Sequence, residues 1–162
     1  MSSQRPTPIE VVFRDAQPVD LDELGWSGGT AHQAVLADTL RASWDGEAVL
    51  LVGELPNQRI IAHGALDLRG EDPKIWLLAV HEAWRSLGVG SALLAELEHR
   101  AQIAGCERVW LSVEEDNPRA RALYAARGYE LTGGIVETWP LDDGTHYAAA
   151  CHAMSKPVPP AV

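Results

Sequence analysis

Basic residues and cysteines are both scarce in this chain, and each shortage narrows what it can do. Only 13 Lys and Arg stand against 23 Asp and Glu, a formal net charge of -10 over 162 residues. Such a surface repels nucleic acid and anionic membranes, which are bound through basic side chains. No nucleic-acid or membrane partner is expected, and a neutral or cationic small molecule fits better. Cys106 and Cys151 are the only cysteines. They are too few for a disulfide framework and lack the spacing of a metal site, so no metal is expected. No apolar run approaches transmembrane length, and residues 1–8 are polar and carry no apolar signal core. A soluble protein in a reducing cytoplasm is the simplest reading.

Internal repeats and interdomain linkers are also missing. What is present is ordinary globular material, 46% hydrophobic and 22% charged. A chain of this length forms about one domain and buries about two thirds of its unfolded surface. The pattern predicts a strand at Ile9 to Phe13, a short helical start at Asp20 to Leu24, and a helix over Thr30 to Trp44 with Thr30 as its N-cap. Ala48–Val52 and Arg59–Leu68 read as a hairpin around Leu55-Pro56-Asn57-Gln58, and Lys74–Val80 as a strand buried on both faces. A helix from Gly88 to about Ala104 stops at Gly105; Arg108–Val113 is a strand, Pro118–Arg127 a helix, and Tyr129–Thr138 and Tyr147–Met154 two late strands. The expected organisation is a flexible stretch at 1–8, a single domain at 9–155 and a flexible tail at 156–162. The fold class is mixed α/β (α+β), with about seven strands in a mostly antiparallel sheet flanked by about four helices.

The junction Val80-His81-Glu82-Ala83-Trp84-Arg85-Ser86-Leu87-Gly88-Val89-Gly90-Ser91 carries the first chemical signal. Glycine lets a backbone approach a ligand, and the first helical turn leaves amide N–H groups unpaired at the positive end of the helix dipole. Together they make an anion site, to which Arg85 adds a guanidinium. Leu93 stands where a dinucleotide loop has its third glycine, and no Gly-Lys-Ser/Thr of a triphosphate loop is present.

Val80 followed by Arg85-x-x-Gly88-x-Gly90 resembles the acetyl-CoA signature of the GNAT superfamily of N-acetyltransferases. A second block, Leu111-Ser112-Val113 and then Asn117-x-x-Ala120-x-x-Leu123-Tyr124-x-x-x-Gly128-Tyr129, resembles that family's next strand and helix. The resemblance implies acetyl-CoA as cofactor. Its pyrophosphate would lie on the amides of Arg85, Ser86, Leu87, Gly88, Val89, Gly90 and Ser91, and its pantetheine along Leu78, Ala79 and Val80 between splayed strands. Asn117 would bond the pantetheine, Ala120 would leave it room, and Tyr124 would approach the sulfur as general acid. A phenol with a reference pKa of about 10 is protonated at neutral pH and can donate.

The acceptor half is less well supplied. An aliphatic amine with a pKa of about 10.4 pays about 4 to 5 kcal/mol to lose its proton at pH 7. Yet Lys74–Val80 carries no carboxylate, and Ser112 stands where some N-terminal acetylating relatives have a glutamate. Glu137, Asp67, His63 and His81 are the candidate bases, with water as an equal alternative. Trp26, His32, Glu137 and Trp139 are the candidate acceptor residues, since carboxylates beside aromatics suit an ammonium group. The expectation is direct acetyl transfer to a primary amine of a small molecule in a ternary complex. The alternatives are a non-catalytic acyl-CoA-binding or regulatory domain and a protein Lys or N-terminal acetyltransferase. Dimers are common among such relatives, so a homodimer is an open possibility.

Overall fold

The computed structural model describes residues 9–160, so the expected flexible stretch at 1–8 lies outside the described residues. One seven-stranded sheet runs in the order β1-β2-β3-β4-β5-β7-β6. Its strands are β1 (Val12–Asp15), β2 (Ala48–Glu54), β3 (Ile60–Asp67), β4 (Lys74–Val80), β5 (Arg108–Glu114), β6 (Glu130–Pro140) and β7 (His146–Pro157). Every neighbouring pair is antiparallel except β4 and β5, which are parallel and joined through helix α2 (Val89–Ile103). The other α-helices are α1 (Thr30–Trp44) and α3 (Pro118–Ala126). The helical start foreseen near Asp20 is a 3-10 turn, Pro18–Glu23, whose buried Asp20 carboxylate accepts from Arg14 and from the Gln17 amide.

Two cores form, one on each face of the sheet. Leu36 and Leu40 of α1 pack on Leu50, Val52, Ile60 and Ala65. On the opposite face Leu93, Leu94, Leu97 and Ala101 of α2 pack on Leu51, Ile61, Leu66 and Ile75, with Ala120 and Tyr124 of α3 beside them. Adjacent residues of β2 therefore enter different cores. This is why its apolar run is continuous although its neighbours are antiparallel.

Four expectations need correction, beginning with the N-cap of α1, which is Gly29 and not Thr30, itself already in the helix. The first strand starts at Val12 because its partner β2 ends at Glu54, and Arg14 is tolerated inside it by bonds to Asp20 and Glu54. The tail expected from residue 156 is structured through Val158. β5 begins at Arg108, which pairs with Pro157, while Val158 is buried and donates its amide to Glu107. β4 is not buried on both faces: only Ile75 is buried and the rest of the strand is partly exposed, because its neighbour β5 leaves it.

His63 sits in β3 opposite Val52, fully buried, with neither ring nitrogen hydrogen-bonded among the described residues. Burial, reinforced by the charge of nearby His32, pushes its pKa down to about 4, and the Leu77 carbonyl opposes the shift without completing a hydrogen bond. In this pH interval the unfolded chain binds a proton at His63 that the folded chain refuses. The contribution to stability is full above a pH of about 6.5, shrinks as pH falls, and levels off below about 4, a change of about 3 kcal/mol. Urea unfolding at stepped pH should show this slope in the wild type, and the difference between wild type and His63→Leu should change with pH over that interval.

Candidate active site

β4 and β5 share a single rung, Lys74 opposite Trp110. Beyond it β5 continues to pair with β7 as far as Glu114, and β4 continues to pair with β3 as far as Val80. Each strand follows its other neighbour, and a gap opens between them. A bulge in β4 assists this. Trp76 pairs with Ala65 and Ala79 with His63, so Leu77 and Leu78 together face Gly64, and Leu77 takes a left-handed φ of 54°. An extra residue of this kind bends and twists its strand. Gly64 accommodates the bend, since a Cβ there would lie 3.0 Å from Leu78. The backbone groups of Leu78, Ala79 and Val80 thus have no β5 partner.

The amino end of α2 lies beside the gap. Gly88, its N-cap, has a φ of 88°, which favours glycine, and supplies no side-chain cap; the first turn holds no acidic residue. The first amides of the helix are consequently free for an anion. Arg85 folds back, its Nε donating to the Val80 carbonyl at 3.0 Å, which leaves its terminal nitrogens available. A cleft of about 670 Å³ is lined by Val80, Arg85, Ser86, Gly88, Gly90 and Ser91 on one side and by Asn117 and Ala120 on the other. A smaller pocket of about 120 Å³ is lined by Leu78, Ala79, Val80, Gly90, Ser91 and Tyr124. Val80, Gly90 and Ser91 belong to both, so the two are continuous. Leu87 is exposed and Val89 is in the core, and neither lines the two pockets.

Tyr124 is held edge-on to Tyr129 at 5.9 Å, and burial raises its phenol above the ordinary tyrosine pKa. Tyr129 is itself fixed by donating to Glu98, which also accepts from Lys156. Asn117 has a structural duty that sequence reading did not assign: its Oδ1 accepts from the Ala120 amide and caps α3. Only its amide group remains to donate to a ligand. Two arginines were missed altogether. Arg119 lines the larger cleft, and Arg127 lines the smaller pocket while donating to Ser91. Helical spacing could have found Arg127, three positions after Tyr124 on one helix face.

The four candidate acceptor residues do not converge. Trp26 and His32 pack against His63, with ring centroids 5.8 and 5.6 Å away, and Trp26 lies 5.3 Å from His81. Glu137 and Trp139 instead line a separate cavity of about 350 Å³ between α1 and β6. Of the candidate bases, Glu137 is paired with Lys74 at 2.6 Å and Asp67 with Arg69 at 2.9 Å, and His63 is sealed in the core. His81 accepts from the Ala83 amide through Nδ1, and its Nε2 makes no protein hydrogen bond among the described residues. Asp142, in the turn Leu141-Asp142-Asp143-Gly144, accepts the Ala31 amide at 2.8 Å and caps α1 from across the fold.

Residues 18–129 match the family model described as acetyltransferase (GNAT) family. The chain belongs to this family. The fold is shared with the ribosomal-protein-S18-alanine N-acetyltransferase of Escherichia coli, at a TM-score of 0.72 and 18% identity, with 94% of this chain and 97% of that one covered. The spermidine/spermine N-acetyltransferase of Vibrio cholerae is similar at a TM-score of 0.70 and 16% identity, covering 91% and 92% of the two chains. An uncharacterized protein of Mycobacterium leprae is 30% identical over 100 residues, 59% of this chain. The match spans 27 to 28% of the length of the curated relatives it resembles.

The Asn117 cap on α3 has a measurable worth. Asn117→Ala should cost about 0.5 to 2 kcal/mol by uncapping α3, read as a lower urea midpoint. Asn117→Ser, which restores a capping oxygen, should recover most of that stability. If Ser and Ala melt alike, the cap contributes nothing.

Proposed function

We propose that this acetyltransferase moves an acetyl group from acetyl-CoA to a primary amine of a small molecule by direct attack within a ternary complex. The observation that carries the reading is the continuity of the two pockets. One surface runs from the uncapped amino end of α2, along the unpaired edge of β4, to the Tyr124 phenol.

The residues present fit the cofactor. Val89, Gly90 and Ser91 offer amides to a pyrophosphate, with the free ends of Arg85 and Arg119 nearby. At Gly90 the nearest atom to an imagined Cβ is Val80 Cγ2 at 3.8 Å, so the space is kept for a ligand and not demanded by packing. The groups of Leu78–Val80 that face the gap without a β5 partner, the Arg85-bound Val80 carbonyl apart, suit an extended amide-bearing arm, as strand addition does elsewhere. When bound, acetyl-CoA supplies an activated thioester.

The chain's own residues do the rest. Backbone N–H groups on the open edge of β4 are fixed donors for a carbonyl oxygen that gains negative charge, and they need no reorganisation. Tyr124 holds a proton at its hydroxyl, as any phenol does at neutral pH and the more so under burial, and is placed to donate it to the departing sulfur. On the acceptor side the carboxylates are engaged in ion pairs, so the amine's proton passes to water or to His81 Nε2.

Thiol release in the presence of acetyl-CoA and an amine panel tests this. Tyr124→Phe should lower kcat by about 10²-fold or more while CoA affinity, measured by calorimetry, changes little. Unchanged turnover would remove Tyr124 from the mechanism. CoA binding without thiol release from any amine would favour a binding or regulatory domain.

A further inference from the structure

The cavity of about 350 Å³ on the α1 face shares no lining residue with the two donor pockets, and it is large enough for a small molecule. We propose that it holds the far end of the acceptor and that this end is zwitterionic, an ammonium and a carboxylate on one carbon, with the reacting amine at the tip of a short chain. This rests on the acetyl-transfer reading above.

The wall chemistry selects that class. Lys74 Nζ donates to Glu137 Oε1 at 2.6 Å, and the two side chains are only 17% and 13% exposed. The bond uses one of three ammonium hydrogens and one of two carboxylate oxygens. What remains, side by side, is a donor cation and an acceptor anion in partial shelter from water. A ligand carrying one sign of charge is attracted by one member and repelled by the other. An apolar ligand strips water from both and returns nothing, which is costly for buried polar groups. A zwitterion satisfies both. The Asp67–Arg69 pair lines the same cavity, as does Asp38, which pairs with Arg41, so both signs are present along it. Trp76 and Trp139 supply flat walls.

Position sets the length. Lys74 marks the closed end of the sheet gap, and Leu78, at the donor pocket, lies four residues further along β4. At about 3.3 Å per residue that is at most about 13 Å, less the reach of the side chains. β4 and β5 part beyond the Lys74–Trp110 rung toward Leu78–Val80, and the proposed acceptor would reach from one face to the other through that gap. An extended diamino acid, with its head at Lys74 and Glu137 and its terminal amine toward Leu78, fits.

Free lysine and 1,5-diaminopentane differ by the head carboxylate alone and make the comparison. At saturating acetyl-CoA, kcat/KM for lysine should exceed that for the diamine by at least about 10-fold. Lys74→Met should bring the two within about twofold, and Glu137→Gln, nearly isosteric and so a safeguard against misfolding, should also narrow the preference. A wild type that uses the diamine as well as or better than lysine, or a preference untouched by both variants, overturns the proposal. Quenching of tryptophan fluorescence by lysine over the diamine, reduced in Lys74→Met, reads the cavity without turnover. If no amine releases thiol, the transfer reading fails, and absence of selective quenching then overturns the cavity assignment as well.

Discussion

β4 and β5 are parallel neighbours of seven residues each that meet at one rung, Lys74 opposite Trp110. Two packed cores, one per face, hold the halves of the sheet firmly enough that the remaining rungs can be left open. Backbone groups removed from water without partners are costly, so an opening of this kind persists only where solvent or a ligand can reach it. The clefts along Leu78–Val80 provide that access. The bulge at Leu77, the glycine facing it and the uncapped α2 terminus are all arranged around the same opening.

The donor side of the opening was readable in the sequence because its signals are local. Gly88 at a left-handed φ, an apolar strand ending at Val80 and Pro118 after Asn117 each specify a conformation within a few residues. Those conformations place amides and a tyrosine wherever the chain then runs. What was not readable depends on partners far apart in sequence. The Asp142 cap on Ala31 spans 111 residues, and the Lys74–Glu137 pair spans 63. Neither sequence neighbourhood announces its partner. A turn such as Leu141-Asp142-Asp143-Gly144 looks solvated until α1 is brought against it. The structured end of the chain was lost for the same reason: prolines near residue 157 suggest a loose tail, but β5 needs an antiparallel partner as far back as Arg108.

His63 illustrates a different limit. Its sequence position suggested a base, since an imidazole beside a cofactor strand is a reasonable proton acceptor. Burial reverses the argument. A ring with no exposed surface and a pKa near 4 stays neutral and does not receive a proton from an amine at neutral pH. It acts as a packing residue under the β4 bulge, against Trp26 and His32. Its two unpartnered nitrogens are a cost the fold bears there.

The two faces of the gap therefore differ in kind. On the α2 and α3 face the open polar groups are mostly main-chain amides and carbonyls, which many sequences can supply so long as the glycines and the bulge remain. On the α1 face the cavity is walled by side chains, Lys74 and Trp76 of β4 and Glu137 and Trp139 of β6, from strands far apart in sequence. Substitutions on that face change charge and shape without touching the open backbone edge of β4. A fold built this way keeps one reaction while its acceptor changes, and the solved structures that share this fold at under 20% identity carry names as different as a ribosomal-protein and a spermidine acetyltransferase.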